Sequence, residues 1–211
     1  MSDRKDDFSL LEALLWEPDA GYFLLDSHLD RLAGSARFFH RLLDIEGVRG
    51  RLEEAAQGFT PESKKVRLEV GSKGDVKIES ESIVVRDTIS YAIATEPVDA
   101  SDPFLQHKTS RRAVYDRALA LHPEAEDVVL WNERHELTEA CWGNLVLEIG
   151  GRKWTPRQDG GLLPGTFRAF LLEKGEVEEA VLPLGALKEA DDVFLINSVR
   201  LWRRGVPVES R

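Results

Sequence analysis

Residues 127–156 read DVVLWNERHELTEACWGNLVLEIGGRKWTP. Apolar β-branched and aromatic runs alternate here with short breaks at Asn132–His135 and at Gly150–Gly151. The pattern predicts strand, turn, strand, turn, strand. On its C-terminal side, residues 158–175, QDGGLLPGTFRAFLLEKG, read as a glycine-rich loop entering a helix that stops at Gly175. Residues 178–208 then give a strand, a short helix, a strand ending near Asn197 and a last strand. Strands interleaved with helices predict a mixed α/β (α+β) class.

The N-terminal side repeats this logic. In residues 22–43, YFLLDSHLDRLAGSARFFHRLL, a short apolar strand runs into a helix capped by Asp26 or Ser27. Leu29, Leu32, Ala36 and Phe39 form its buried stripe. A second helix is expected over about 47–57, and residues 64–80 alternate across a Lys-Gly-Asp turn as a hairpin. Residues 83–95 carry another strand signal, and 96–104, EPVDASDPF, has the chemistry of a linker. Two lobes follow, an N-terminal α/β domain over 1–98 and a C-terminal one over 104–211.

The second lobe opens on residues 107–121, HKTSRRAVYDRALAL. Val114, Ala118 and Leu121 share a helical face, with Thr109 or Ser110 as the expected cap. His107, Lys108, Arg111 and Arg112 crowd that helix start, where the macrodipole disfavours cations. Neighbouring positive charge and desolvation lower a lysine's pKa and favour a nucleophilic amine. The other reading is four solvated surface charges.

The composition narrows the field. The chain has 211 residues, 42% hydrophobic and 31% charged, as in an ordinary globular protein. Its net charge of -10 argues against a nucleic-acid partner, though a local basic pocket is compatible with it. No apolar run is long enough to span a membrane, and no leader is expected. One cysteine, Cys141, fits a cytoplasmic protein without a disulfide framework. The five histidines have no metal-ligand spacing, so no metal is expected. The familiar nucleotide and nucleophile-elbow motifs are absent.

Four features carry chemistry. Lys108 is a candidate amine for bonding a carbonyl. On a strand, Glu139 would share a face with Cys141 and Gly143, leaving a flat space beside a charge that suits a planar ring with a protonatable nitrogen; an exposed edge-strand Glu is the alternative. The loop GGLLPGTFR, residues 160–168, offers backbone N–H groups to an anion, or is a plain connection. Asn197 and Ser198 end an apolar strand, where sites and simple turns both occur. An amine, a ring-nitrogen partner and a phosphate cradle are what a protein supplies to pyridoxal 5'-phosphate (PLP).

The order of these motifs resembles the class IV aminotransferase family, the PLP enzymes of fold type IV. That family includes branched-chain and D-amino acid aminotransferases and aminodeoxychorismate lyases. The resemblance runs from residues 25–39 to INSVR at 196–200. Its most specific run is Glu139, Cys141, Asn144, Leu145, Thr155, Leu163, Gly165, Thr166 and Arg168. The wording of the chain is closest to the aminodeoxychorismate lyase domain.

The resemblance implies two α/β domains with PLP at their interface, usually as a homodimer. It implies that Lys108 is the Schiff-base lysine and proton shuttle, and that Glu139 pairs with the pyridine nitrogen. Arg31 resembles the phosphate-binding arginine, Gly165 and Thr166 the helix start that holds the phosphate, and Asn197 with Ser198 the segment closing it. Tyr115 is a candidate near the ring hydroxyl. Arg111, Arg112 and Arg200, with Trp202, are candidates for a dicarboxylate substrate. The implied activity is elimination of pyruvate from 4-amino-4-deoxychorismate to leave 4-aminobenzoate for folate synthesis, with a functional link to aminodeoxychorismate synthase. The alternative is an amino acid aminotransferase of the same class, D-specific or branched-chain. The chain is shorter than most family members, which trims loops near the substrate.

Overall fold

The leucine-rich run at residues 10–17 is a strand, β1 (Leu10–Glu17), and it organises the first of two compact units. The computed structural model describes residues 8–84 and 86–208. The first unit comprises Met1–Val84 with His107–Arg111, and the second Val85–Gln106 with Arg112–Arg211.

In the first unit β1 is followed by β2 (Gly21–Tyr22), α1 (Leu25–Phe38), α2 (Ile45–Ala56), β3 (Lys64–Val70) and β4 (Val76–Ser82). The strands form an antiparallel sheet in the order β2-β1-β3-β4. The β3–β4 pair is the expected hairpin, with Val70 opposite Val76. On α1, His28, Leu29, Leu32, Ser35 and Ala36 are buried. Neither Asp26 nor Ser27 caps this helix: Leu24 does, in the left-handed region with φ 55°, and Asp26 lies in the first turn, bonded to Arg49 of α2 at 2.7 Å. The cap of α2 is Asp44, which accepts from the Gly47 N–H at 2.9 Å.

The second unit contains β5 (Thr88–Ile93), α3 (Pro103–Gln106), α4 (Ala113–Leu121), β6 (Asp127–Trp131), β7 (Leu137–Ala140), β8 (Gly143–Ile149) and β9 (Arg152–Pro156). These are followed by α5 (Thr166–Glu173), β10 (Glu178–Ala180), β11 (Asp192–Asn197) and β12 (Leu201–Pro207). Residues 127–156 thus hold four strands where the pattern suggested three, because Cys141 and Trp142 make a tight turn inside the second apolar run. The eight strands form one sheet, β10-β9-β8-β11-β12-β5-β6-β7, which closes on itself because β7 also pairs with β8. One edge of β8 is shared: its start pairs with β7 and its end with β9, while β11 takes the other edge. Val129, Leu137, Leu145, Leu147 and Leu195 form the buried core of this sheet.

The helix expected after a Thr109 or Ser110 cap starts later than its pattern. α4 starts at Ala113 with Arg112 as N-cap and no side-chain cap bond. Tyr115 and Ala118 are buried, whereas Leu121 is half exposed. The segment His107–Arg111 runs beside β1: Thr109 bridges to Leu10, the Leu11 N–H donates to the Lys108 carbonyl at 2.9 Å, and the Ser110 N–H donates to the Ser9 carbonyl at 2.9 Å. Pairing with β1 wins over local helix propensity at residues 108–110 because it satisfies their backbone groups.

Candidate active site

In the second unit the site is built around Glu139. Every residue of β7 is buried, and Glu139 is 3% exposed. A buried carboxylate needs donors, and Glu139 Oε1 accepts two: the Tyr115 hydroxyl from α4 at 2.8 Å and the Leu163 N–H at 3.2 Å. Burial, reinforced by the Glu139 charge, pushes the Tyr115 hydroxyl well above its ordinary pKa, so it stays protonated as a donor. The Leu163 carbonyl accepts from Asn144 Nδ2 at 2.9 Å. Both backbone polar groups of Leu163 are therefore gripped by side chains from the β7–β8 hairpin. This fixes the loop that leads into α5.

The start of α5 follows from the same hairpin. Gly165 is its N-cap in extended backbone and supplies no side chain, and a β-carbon there would overlap the Asn144 amide oxygen. Thr166 is buried. Further along the motif, Thr155 donates to the Leu145 carbonyl at 2.8 Å, and buried Arg168 donates to the Pro156 carbonyl at 2.7 Å and pairs with Glu179. The helix ends as its glycine suggested: Gly175, with φ 69°, donates to Leu172, and Glu176 donates to Leu171.

Asn197 and Ser198 form the turn after β11. Asn197 Oδ1 accepts from the N–H groups of Val199 and Arg200 at 3.0 and 2.8 Å, and its Nδ2 donates to the Trp142 carbonyl at 3.0 Å. Ser198 is buried and Arg200 half-buried. A β-carbon on Gly143 would overlap the Ile196 carbonyl, so this turn and the Cys141–Trp142 turn lie against each other. Cys141 is buried, and desolvation pushes its thiol up to about 12, which makes it an inert packing residue.

In the first unit β1 positions two candidates. Lys108 is half-buried, with its carbonyl on Leu11. The preceding His107 lies against the rings of Phe38 and Phe39, and its Nδ1 is 2.9 Å from Ser35 Oγ. Next to Leu11 is Glu12, 1% exposed, which holds Arg31 through Nε at 2.9 Å and Nη2 at 2.5 Å and lies 2.6 Å from His28 Nδ1. Burial raises the Glu12 pKa, but Arg31 and His28 outweigh it and bring the carboxyl down to about 2. Arg111, the last residue of this unit, is exposed. Sequence reasoning passed over Glu12 and His28. A lone Glu inside LLEALL was the available signal, since a carboxylate in an apolar run has to find cations.

Chemically the second unit offers a buried carboxylate held in one orientation beside a loop and helix start with small or hydroxyl side chains. Such groups are chemically suited to a flat, phosphorylated, cationic ring. The residues present fit PLP: an anion for the ring nitrogen, and a glycine N-cap with the buried hydroxyls of Thr166 and Ser198 for a phosphate. Comparison with known proteins fixes the class. The amino-transferase class IV family model matches residues 9–207, and the chain belongs to that family of PLP-dependent enzymes.

Individual relatives are consistent with this. A Schizosaccharomyces pombe protein provisionally named aminodeoxychorismate lyase is 31% identical over 212 residues, covering 95% of this chain and 90% of the relative. A crystal structure of a provisionally assigned amino-acid aminotransferase from Mesorhizobium loti is 33% identical, with TM-score 0.90, and covers 96% of this chain and 100% of that one. A Mycobacterium tuberculosis protein described as a hypothetical aminotransferase, solved in its PLP-bound form, shares the fold with TM-score 0.84 at 23% identity over 96% of this chain and 82% of its own. The fold is thus that of the fold type IV enzymes. Among the described residues no helix is long and apolar enough to cross a membrane.

Proposed function

We propose that this enzyme is a 4-amino-4-deoxychorismate lyase that releases pyruvate and 4-aminobenzoate for folate biosynthesis. The name of the Schizosaccharomyces pombe relative and the motif wording support that substrate. The observation that carries the chemistry is the Glu139 carboxylate, buried and held by Tyr115 and Leu163.

Bound PLP supplies an electron sink for the charge left when a proton leaves the carbon beside a substrate amine. In this reading Lys108 would hold the cofactor, and its amine would move the proton at that carbon. Glu139 would pair with the ring nitrogen, where a fixed anion in a dry site would keep a proton bound. Arg31, Gly165, Thr166, Asn197 and Ser198 hold the phosphate. Arg111 and Arg200 are the proposed partners of substrate carboxylates. The homodimer and the link to aminodeoxychorismate synthase are part of this proposal and rest on the family resemblance. A cytoplasmic location rests on the buried free Cys141.

A class IV amino acid aminotransferase is the second reading, favoured by the 33% identity to the Mesorhizobium loti protein. The same side chains serve both reactions, so the experiment must separate them. Borohydride reduction followed by peptide mapping is expected to label Lys108. Stoichiometric pyruvate release from aminodeoxychorismate supports the lyase; turnover of amino acids with 2-oxoglutarate and no pyruvate release supports the transaminase. A label on another lysine overturns the assignment of Lys108.

A further inference from the structure

Arg112 has a different set of partners from those a substrate-binding arginine would show. Its guanidinium carbon lies 4.7 Å from the centroid of the Tyr115 ring and 4.4 Å from that of Trp142. Its Nη2 donates to the Cys141 carbonyl at 2.9 Å, and its Nε is 3.9 Å from Asp116 on the next helical turn. Two of these partners, Tyr115 and Trp142, lead to candidate cofactor groups. Tyr115 donates its hydroxyl to Glu139, and the Trp142 carbonyl accepts from Asn197, which orders the turn containing Ser198.

Trp142 gives a second, independent indication. Its side chain stands on a two-residue hairpin turn and is 50% exposed, an unusual place for an indole unless something holds it. A guanidinium over its ring does so, and the planar cation also donates in its own plane to the adjacent carbonyl. A lysine ammonium cannot combine stacking with an in-plane hydrogen bond.

We infer that Arg112 is a positioning residue, a bridge between the Tyr115–Glu139 pair and the Trp142–Asn197 turn, and that it does not bind the substrate. This rests on the proposed cofactor roles of Glu139 and Ser198. Its task is to hold the ring-nitrogen partner and the phosphate-closing turn in one fixed relation before cofactor binds, which lowers the ordering cost of binding.

The test compares wild type with Arg112→Lys, Trp142→Leu and the double variant. Three quantities are read: the Kd for PLP by absorbance titration of apoenzyme, the KM for aminodeoxychorismate, and amide hydrogen exchange at Val199 and Arg200. Each single variant is expected to weaken PLP binding by about 3- to 30-fold, the size of a cation–π contact with its hydrogen bond. Exchange at Val199 and Arg200 should speed up, KM should stay within about 2-fold, and the double variant should be no worse than Arg112→Lys. A raised KM with unchanged Kd and exchange in Arg112→Lys would make Arg112 a substrate ligand and overturn the inference; so would no change in any readout. Trp142→Leu alters a half-exposed side chain, so it reports on the bridge even where Arg112→Lys fails to fold. If wild type binds no PLP, the proposed function fails, while the exchange rates still decide whether the bridge exists.

Discussion

The amide oxygen of Asn144 fills the space that a β-carbon on Gly165 would need. Gly165 has φ -64°, an angle open to any residue, so the constraint here is proximity and not backbone freedom. The same Asn144 side chain donates to Leu163, two residues earlier. Gly165→Ala should therefore displace Asn144 and cost about 1–3 kcal/mol. Asn144→Ala loses the Leu163 bond but removes the clash, so the double variant should cost less than the sum of the two. Denaturant melts of the four proteins check this; strict additivity would mean that the two residues do not meet.

Tyr115→Phe leaves Glu139 without its hydroxyl donor in a buried setting. The expected loss is about 1–2 kcal/mol of stability, accompanied by weaker retention of PLP. Glu139→Gln should retain the fold better than it retains the cofactor. Thermal melts of the apo proteins alongside PLP titrations separate the two effects.

Acid should act on the first unit through Glu12. Burial raises its carboxyl, but Arg31 and His28 prevail and take it from the ordinary 4.5 to about 2. A depressed pKa means that the stability is fully present above about 4.5 and drains away as pH falls toward about 2. Glu12→Gln should flatten that acid limb and cost about 3–5 kcal/mol at neutral pH, because Arg31 and His28 lose a buried partner. Urea midpoints measured from pH 3 to 7 provide the comparison.

Asp127 should act with the opposite sign. It is 0% exposed, and desolvation lifts its carboxyl from the ordinary 3.8 to about 7 despite the Val128 N–H and the Arg203 charge. The folded state then keeps a proton that the unfolded chain has released. Between about 4 and 7 stability therefore falls as pH rises, by up to about 1.4 kcal/mol per pH unit. Asp127→Asn preserves an acceptor for Val128 and should remove this slope. An unchanged slope in the variant would assign it to another group.

Much of the second unit was legible in the sequence. The Asn-Glu-Arg-His and Gly-Gly breaks placed turns and Gly175 stopped α5, each through a local signal, a turn residue or a cap. The run Glu139, Asn144, Gly165 and Arg168 came instead from the resemblance to the class IV aminotransferases. The structure supplies their reason: Glu139 and Asn144 grip Leu163, and Gly165 leaves room for Asn144.

Some stretches have two local answers. LLEALLWE has good helix formers and no alternation, and is a strand because its backbone pairs with β3 from Leu10 to Trp16. Lys108 sits at an apparent helix start, yet the segment 108–110 pairs with β1 because Ser9, Leu10 and Leu11 offer it backbone partners. The cation crowding that singled out Lys108 is therefore not crowding on a helix dipole.

The sequence by itself determined the elements with one strong local preference, and the residue types that chemistry of this class requires. Only the tertiary structure decided which partner each took: Tyr115 for Glu139 across 24 positions, Arg31 for Glu12 across 19, and Arg112 for two rings and a carbonyl. The physical reason is that a buried charge or an unpaired strand edge has to be satisfied by whichever group the fold brings within hydrogen-bond reach, and the chain's local pattern carries no record of that distance.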